Sequence, residues 1–281
     1  MTLTTILLFA VGLGLLVAGG EFLVRGASGV AAAAGVSRLV IGLTIVAFGT
    51  SAPEMLVSVY ASATGNPDIA VANVVGSNIL NVLLILGACA VLRPLAVASR
   101  LIRVDVPVMI AVLLLLFALA VDGTVGRWDS LLLLGGAITY IAVCLRQGRR
   151  DETLRQEVFM LVGCPASAGA RAWAVSGVLI IVGLGFLVLG ARWLVDGAVA
   201  LARTLGVSDV IIGLTIVAAG TSMPEVATSI VATLRGERDI AIGNVIGSNI
   251  FNILGILGAA GLVASPLWRF TCRSSTSICR S

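Results

Sequence analysis

A 46-residue stretch of this chain occurs twice, 171 positions apart and without a gap, and each copy holds a carboxylate inside a long apolar run. Gly42-Leu-Thr-Ile-Val-Ala-Phe-Gly-Thr-Ser-Ala-Pro-Glu54 returns as Gly213-Leu-Thr-Ile-Val-Ala-Ala-Gly-Thr-Ser-Met-Pro-Glu225. Asn73-Val-Val-Gly-Ser-Asn-Ile-Leu-Asn81 returns as Asn244-Val-Ile-Gly-Ser-Asn-Ile-Phe-Asn252. Between 42–87 and 213–258, 28 of 46 residues are identical, too many for two unrelated local structures. An ionised side chain at the centre of an apolar span costs roughly 2.5–3.5 kcal/mol or more. Two such costs at matching points of two halves point to a cation site to which both halves contribute.

The apolar runs are membrane spans. With 59% hydrophobic and 11% charged residues and a mean hydropathy of +1.12, 281 residues could not hide their apolar surface from water. Runs near 3–24, 39–64, 69–92, 104–121, 128–145, 173–195, 210–234 and 240–264 are each long enough to cross a bilayer. The first lacks a basic start and a clear cleavage site, and is read as a retained helix rather than a signal peptide. Every basic residue is Arg, and these arginines lie in short loops between spans, the pattern of a topology signal and not of a nucleic-acid surface. The five cysteines show neither metal-ligand spacing nor a disulfide framework.

The first motif copy covers spans two and three and the second covers spans seven and eight. An odd number of crossings separates equivalent spans, so the copies traverse the membrane in opposite directions. Such inverted-topology repeats in transporters place the binding site near the midplane at the repeat interface. The expected architecture is an all-α membrane protein: 1–147 forms the first inverted repeat (motif 42–87), 148–172 a linker, and 173–265 the second repeat (motif 213–258). Twelve arginines, from Arg25 and Arg38 to Arg235 and Arg238, fall on one face, against Arg127, Arg192, Arg203 and those of the tail on the other. The positive-inside rule then puts the N-terminus outside and the 146–172 loop in the cytoplasm of a cell (plasma or inner) membrane. Residues 266–281 are polar and unlike the rest, and read as the tail of a truncated or frameshifted chain.

Pro53 cannot donate to the carbonyl four residues back, and Gly49 adds backbone freedom, so the helix is expected to kink or break beside Glu54. Gly220 and Pro224 repeat the device. Backbone groups freed at membrane depth survive only where they are buried in protein or line a watery cavity. Thr50, Glu54 and Ser58 lie four apart on one helix face, as do Thr221, Glu225 and Ser229. Asn73, Ser77 and Asn81 make a second stripe, mirrored by Asn244, Ser248 and Asn252. Carbonyl, hydroxyl and carboxylate oxygens suit Na+ and Ca2+, whereas soft metals favour Cys or His. Taken singly, a Gly-x-x-x-Pro kink is usually a bend and small residues often serve helix packing; duplication in one register favours function. Glu21, Asp105, Asp122, Asp129, Asp196 and Asp209 lie near span ends and read as interfacial anchors or loop partners, and Asp68 and Asp239 as helix N-caps. Gly12-x-Gly14 and Gly19-Gly20 are packing signals.

At these residues the chain resembles the calcium/cation antiporter superfamily, specifically prokaryotic sodium/calcium exchangers, whose two repeats carry G-T-S-x-P-E and G-S-N-x-x-N/D. The resemblance implies ten helices in two inverted halves of five, of which about eight are recognisable here, and alternating-access exchange of Na+ for Ca2+. It implies that Glu54 and Glu225 ligate Ca2+ with the Thr50 and Thr221 carbonyls. Na+ sites would then draw on Ala47, Ser51, Ser77 and Asn81, and on Ala218, Ser222, Ser248 and Asn252. Asn73 and Asn244 complete the candidate set. Some family members carry Asp where Asn252 stands; here both second-Asn positions are neutral. Without a ninth and tenth span, spans seven and eight are expected to lose packing partners. The transported ions are the expected ligands, with no cofactor and no enzymatic activity. A proton- or K+-coupled exchanger and a non-transporting form are the alternatives. A passive channel would give no reason for inverted broken helices, and an intramembrane hydrolase would lack a His or Lys base beside Ser51 or Ser222.

Overall fold

A computed structural model describes residues 3–94, 97–121, 124–148, 170–206, 218–264 and 268–269. The helices are α1 (Leu3–Ala34), α2 (Arg38–Thr50), α3 (Ala52–Ala63), α4 (Pro67–Leu92), α5 (Leu101–Leu119) and α6 (Arg127–Gly148). They continue as α7 (Ala170–Thr204), α8 (Ala218–Thr221), α9 (Met223–Leu234) and α10 (Arg238–Val263). Six of these are long and apolar enough to cross a membrane, and α2 with α3 makes a seventh span bent by 47°. Of the seventh expected span only 218–234, α8 and α9, falls within the described residues. Asp122, Asp209, most of the 148–172 linker and nearly all of the 266–281 tail lie outside them.

The duplication survives in the backbone. After α3 and after α9 the chain turns through Gly65 (φ 81°) and Gly236 (φ 80°), a left-handed conformation that only glycine takes without strain. Pro67 then opens α4 in the first turn, where its missing N–H costs nothing. Asp68 and Asp239 sit in the first turns of α4 and α10, favourably placed for the helix dipole. They are not the N-caps expected of them: Asn66 and Glu237 hold those positions, with no side-chain capping bond.

α10 is the hub. In its apolar window 94% of residues are buried, against 28% in its repeat mate α4. Val112 of α5 and Leu133 and Ala137 of α6 share one core cluster with Ile246, Ile250 and Leu254 of α10. For the eighth span, the expectation that it would lack partners is therefore overturned, because the two repeats interlock and the first half supplies the cover for α10. Among the described residues α4 has no such cover on the matching face. Val75, Ile79 and Leu83 are 41%, 55% and 72% exposed where their counterparts Ile246, Ile250 and Leu254 are 3%, 1% and 3% exposed.

α1 and α7 form an antiparallel pair along a glycine seam. Gly12, Gly19 and Gly26 recur every seven residues, and Gly183, Gly190 and Gly197 repeat them 171 positions on. A Cβ at Gly183 would lie 2.6 Å from the Leu23 amide nitrogen, and one at Gly19 2.8 Å from the Gly183 carbonyl oxygen, so the two backbones are in direct contact. The seam gathers dispersion contacts where lipid offers no hydrophobic drive. Ion pairs link α1, α2 and the turn between α9 and α10 at one end of the bundle. Arg38 bonds Glu237 at 2.6 Å and Arg25 bonds Glu21 at 2.6 Å, while Arg235 also pairs with Glu21. At the other end two short strands, β1 (Thr124–Val125) and β2 (Trp268–Arg269), pair antiparallel. Asp129 accepts from the Gly126 N–H at 2.7 Å, as a loop partner should. Asp105 departs from the interfacial role: it is fully buried, with the Tyr140 hydroxyl at 3.3 Å and the Arg100 guanidinium at 3.8 Å.

Candidate cation site

The break expected beside each proline is present in both copies. Ser51 leaves the helical region at φ −81°, ψ 7°, and Ser222 does the same at φ −86°, ψ 5°. Pro53 and Pro224 stand in the first turns of the helices that restart, α3 and α9. The break therefore changes the address of each acid: Glu54 and Glu225 lie in the first turn of a new helix, where unpaired N–H groups and the helix dipole favour negative charge.

The two acids are held crosswise. Ser51 donates to Glu225 Oε1 at 2.9 Å and Ser222 donates to Glu54 Oε1 at 2.8 Å. Each serine stands at the break, three residues before the acid of its own copy, and the backbone between them completes the link. Two serines and two glutamates thus close a ring across the repeat interface. Ser222 also bonds Ser77 Oγ at 3.0 Å, which ties α4 into it. Glu54 and Glu225 are 0% and 1% exposed. Among the described residues Glu54 Oε2, Glu225 Oε2, Asn81 Oδ1, Asn252 Oδ1 and Ser248 Oγ are buried without a hydrogen-bond partner. Such atoms are costly unless something satisfies them.

Asn73 and Asn244 have a different occupation. Asn73 donates to Ser58 Oγ at 3.0 Å and to the Glu54 carbonyl at 3.3 Å, while Thr221 donates to its Oδ1 at 3.5 Å. Asn244 donates to Ser229 Oγ at 3.0 Å and accepts from Thr50 at 3.0 Å. Both amides brace one copy's broken helix against the other's third helix. Replacing Asn244 by Ala strands the Ser229 hydroxyl in the interior, leaves Thr50 only its bond of 3.4 Å to the Ala47 carbonyl, and is expected to cost about 1–3 kcal/mol. The thermal midpoint of the purified variant in detergent checks this, and an unchanged midpoint would remove the bracing role.

Two residues outside the candidate set join the site. Asn249 accepts from Asn81 Nδ2 at 3.0 Å and Asn78 accepts from Asn252 Nδ2 at 2.9 Å. Their signal was present in the sequence, because 78 and 249 are also identical positions of the repeat. Asn81 and Asn252 each begin a π-helical stretch, Asn81–Leu86 and Asn252–Leu257, whose extra residue per turn re-aims the side chains around it. Ala47 is buried and its carbonyl accepts from the Ser51 N–H at 3.1 Å. Ala218 opens α8, and its side chain lies outside the described residues. No cluster of three or more His, Cys, Asp or Glu occurs among the described residues, so any ion held here is held by two carboxylates and neutral oxygens.

The family model described as sodium/calcium exchanger protein matches residues 4–146 and 175–277. The putative antiporter CaxA of Alkalimonas amylolytica is 43% identical over 258 residues, 90% of this chain and 79% of the relative. The sodium/calcium exchanger MaX1 of Methanosarcina acetivorans is 33% identical, over 93% of this chain and 84% of its own. A solved structure of the sodium-calcium exchanger NCX_Mj soaked with Na+ and Ca2+ superposes with a TM-score of 0.81 at 34% identity, covering 96% of this chain and 84% of that one.

Proposed function

The chain belongs to the sodium/calcium exchanger protein family, and from that premise we propose that it is a secondary antiporter exchanging Na+ for Ca2+ at the crossed carboxylates by alternating access. The observation that carries the reading is the reciprocal pair of bonds, Ser51 to Glu225 and Ser222 to Glu54, each leaving one carboxylate oxygen buried and free of hydrogen bonds among the described residues. Ca2+ takes six to eight oxygen ligands and has no need of sulfur or imidazole. Glu54 and Glu225 supply the charge for it, with the Thr50 and Thr221 carbonyls as neighbours. Ser51, Ser77, Asn81 and the Ala47 carbonyl offer Na+ ligands from one copy, and Ser222, Ser248, Asn252 and the Ala218 carbonyl from the other. Two carboxylates balance one Ca2+ or two Na+.

Coupling follows from the same charge. Two uncompensated carboxylates facing each other in a medium of low dielectric repel strongly, so the empty pocket switches sides reluctantly and a loaded one readily. The first and sixth spans, α1 and α7, are the element that moves across the rest, in a plasma or inner membrane with the N-terminus outside and the 146–172 loop in the cytoplasm. The ions are cargo; the protein is not an enzyme and needs no cofactor. 45Ca2+ uptake by reconstituted vesicles, with and without an imposed Na+ gradient, tests the reading. Uptake that appears only with the gradient supports it. Uptake that ignores Na+ and follows a H+ or K+ gradient would replace the coupling ion, and flux with no counter-ion gradient would make the protein a channel.

A further inference from the structure

We propose that Asn78 and Asn249 are positioning residues that fix which end of the Asn252 and Asn81 amides faces the transported cation, an inference that rests on the cation-site reading above. A primary amide has two ends of nearly equal size and opposite use. Its oxygen is a cation ligand; its NH2 repels a cation. Shape alone does not choose between them, so hydrogen bonding must.

The choice is made across the repeat interface. Asn81 Nδ2 donates to Asn249 Oδ1 at 3.0 Å, and Asn252 Nδ2 donates to Asn78 Oδ1 at 2.9 Å. With each NH2 occupied, the opposite end of each amide is its carbonyl oxygen, and both carbonyl oxygens are buried with no hydrogen-bond partner among the described residues. The acceptors are themselves oriented. Asn78 Nδ2 donates to the Asn249 backbone carbonyl at 3.2 Å. Asn249 turns its own NH2 to the Met109 sulfur at 3.6 Å, a weak acceptor that leaves its oxygen for Asn81. Asn249 is 2% exposed, so water does not compete for the bond. Each copy thereby aims the ligand of the other, and each copy carries the same asparagine three residues before its own ligand.

Removing such an outer partner typically weakens metal binding about 10–100-fold. Asn249→Leu is expected to weaken Ca2+ by that factor, read both as equilibrium 45Ca2+ binding and as the KM of Na+-driven uptake. The decisive comparison repeats the change in an Asn81→Asp background. A carboxylate presents an oxygen at either end and has no orientation to lose, so there Asn249→Leu should change affinity less than about twofold. The rescue should also be crossed: Asn78→Leu is relieved by Asn252→Asp and not by Asn81→Asp. Equal losses in both backgrounds, or rescue by the wrong aspartate, would overturn the proposal in favour of simple packing. Ala at 78 and 249 allows the same comparison if a Leu variant fails to fold. Failure of the cation-site reading looks different, since Ca2+ binding would then survive Glu54→Gln in an otherwise unaltered chain.

Discussion

Exchanging Glu54 or Glu225 for Gln is expected to cut Na+-driven Ca2+ flux by about a thousandfold, to the background of protein-free vesicles. Gln keeps the length of the side chain and an oxygen to accept the Ser222 or Ser51 hydroxyl, so the ring of two serines and two acids stays closed. What is lost is one negative charge at contact with the ion. A unit-charge pair about 4 Å apart is worth about 4 kcal/mol at an effective dielectric near 20, and Ca2+ carries two charges, so a loss of at least about a thousandfold in binding is expected. The remaining carboxylate leaves Ca2+ half neutralised inside the membrane, and neither loading nor the crossing of the loaded form is then favourable. Flux assays on variants that elute like the parent protein test this. Near-normal exchange by either variant would refute the assignment of the pocket.

The second large effect concerns the seam between α1 and α7. Gly183→Val is expected to abolish recovery of a monodisperse protein, or to leave one without exchange. Even the first added carbon would meet the Leu23 amide nitrogen at 2.6 Å, a backbone atom that can yield only if the two helices part. Overpacking a fitted interface costs typically 1–3 kcal/mol, and the seam has a glycine on each side at successive contacts. The control is on the same helix: a Cβ at Gly185 meets nothing within 4 Å, so Gly185→Val should behave like the parent to within about 0.5 kcal/mol. Size-exclusion profiles and 45Ca2+ uptake of the two variants decide the matter. A Gly183→Val protein indistinguishable from Gly185→Val would show that the backbones are not in contact.

Much of this was legible before any coordinates. A carboxylate inside an apolar run is costly enough to announce itself, and its recurrence marks Glu54 and Glu225 with Thr50, Ser58, Thr221 and Ser229, while Ser51 and Ser222 come from the family resemblance. The proline break followed from the chemistry of a missing N–H. The crossing was not legible, because nothing local says that Ser51 serves the other copy's acid. Asn78 and Asn249 escaped because a four-residue stripe was drawn through 73, 77 and 81; 78 falls beside that stripe and meets its partner only across the repeat interface. The sevenfold spacing of Gly12, Gly19 and Gly26 was present too, but glycine spacing gains meaning only from the backbone that lies against it. Which of two related helices is covered is likewise a property of the assembly. α4 and α10 share Asn, Gly, Ser and Asn at the same motif positions, and the approach of Tyr140, 35 positions away, to Asp105 carries no local sign either.

The crossed bonds also tie the two broken helices into one mechanical unit. The hydroxyl that steadies each acid belongs to the other copy's break. A carboxylate that shifts toward or away from an ion therefore carries the opposite helix's hinge with it. Neither half can tighten around a small ion or relax around a large one alone, because a distortion at Ser51 is returned at Ser222.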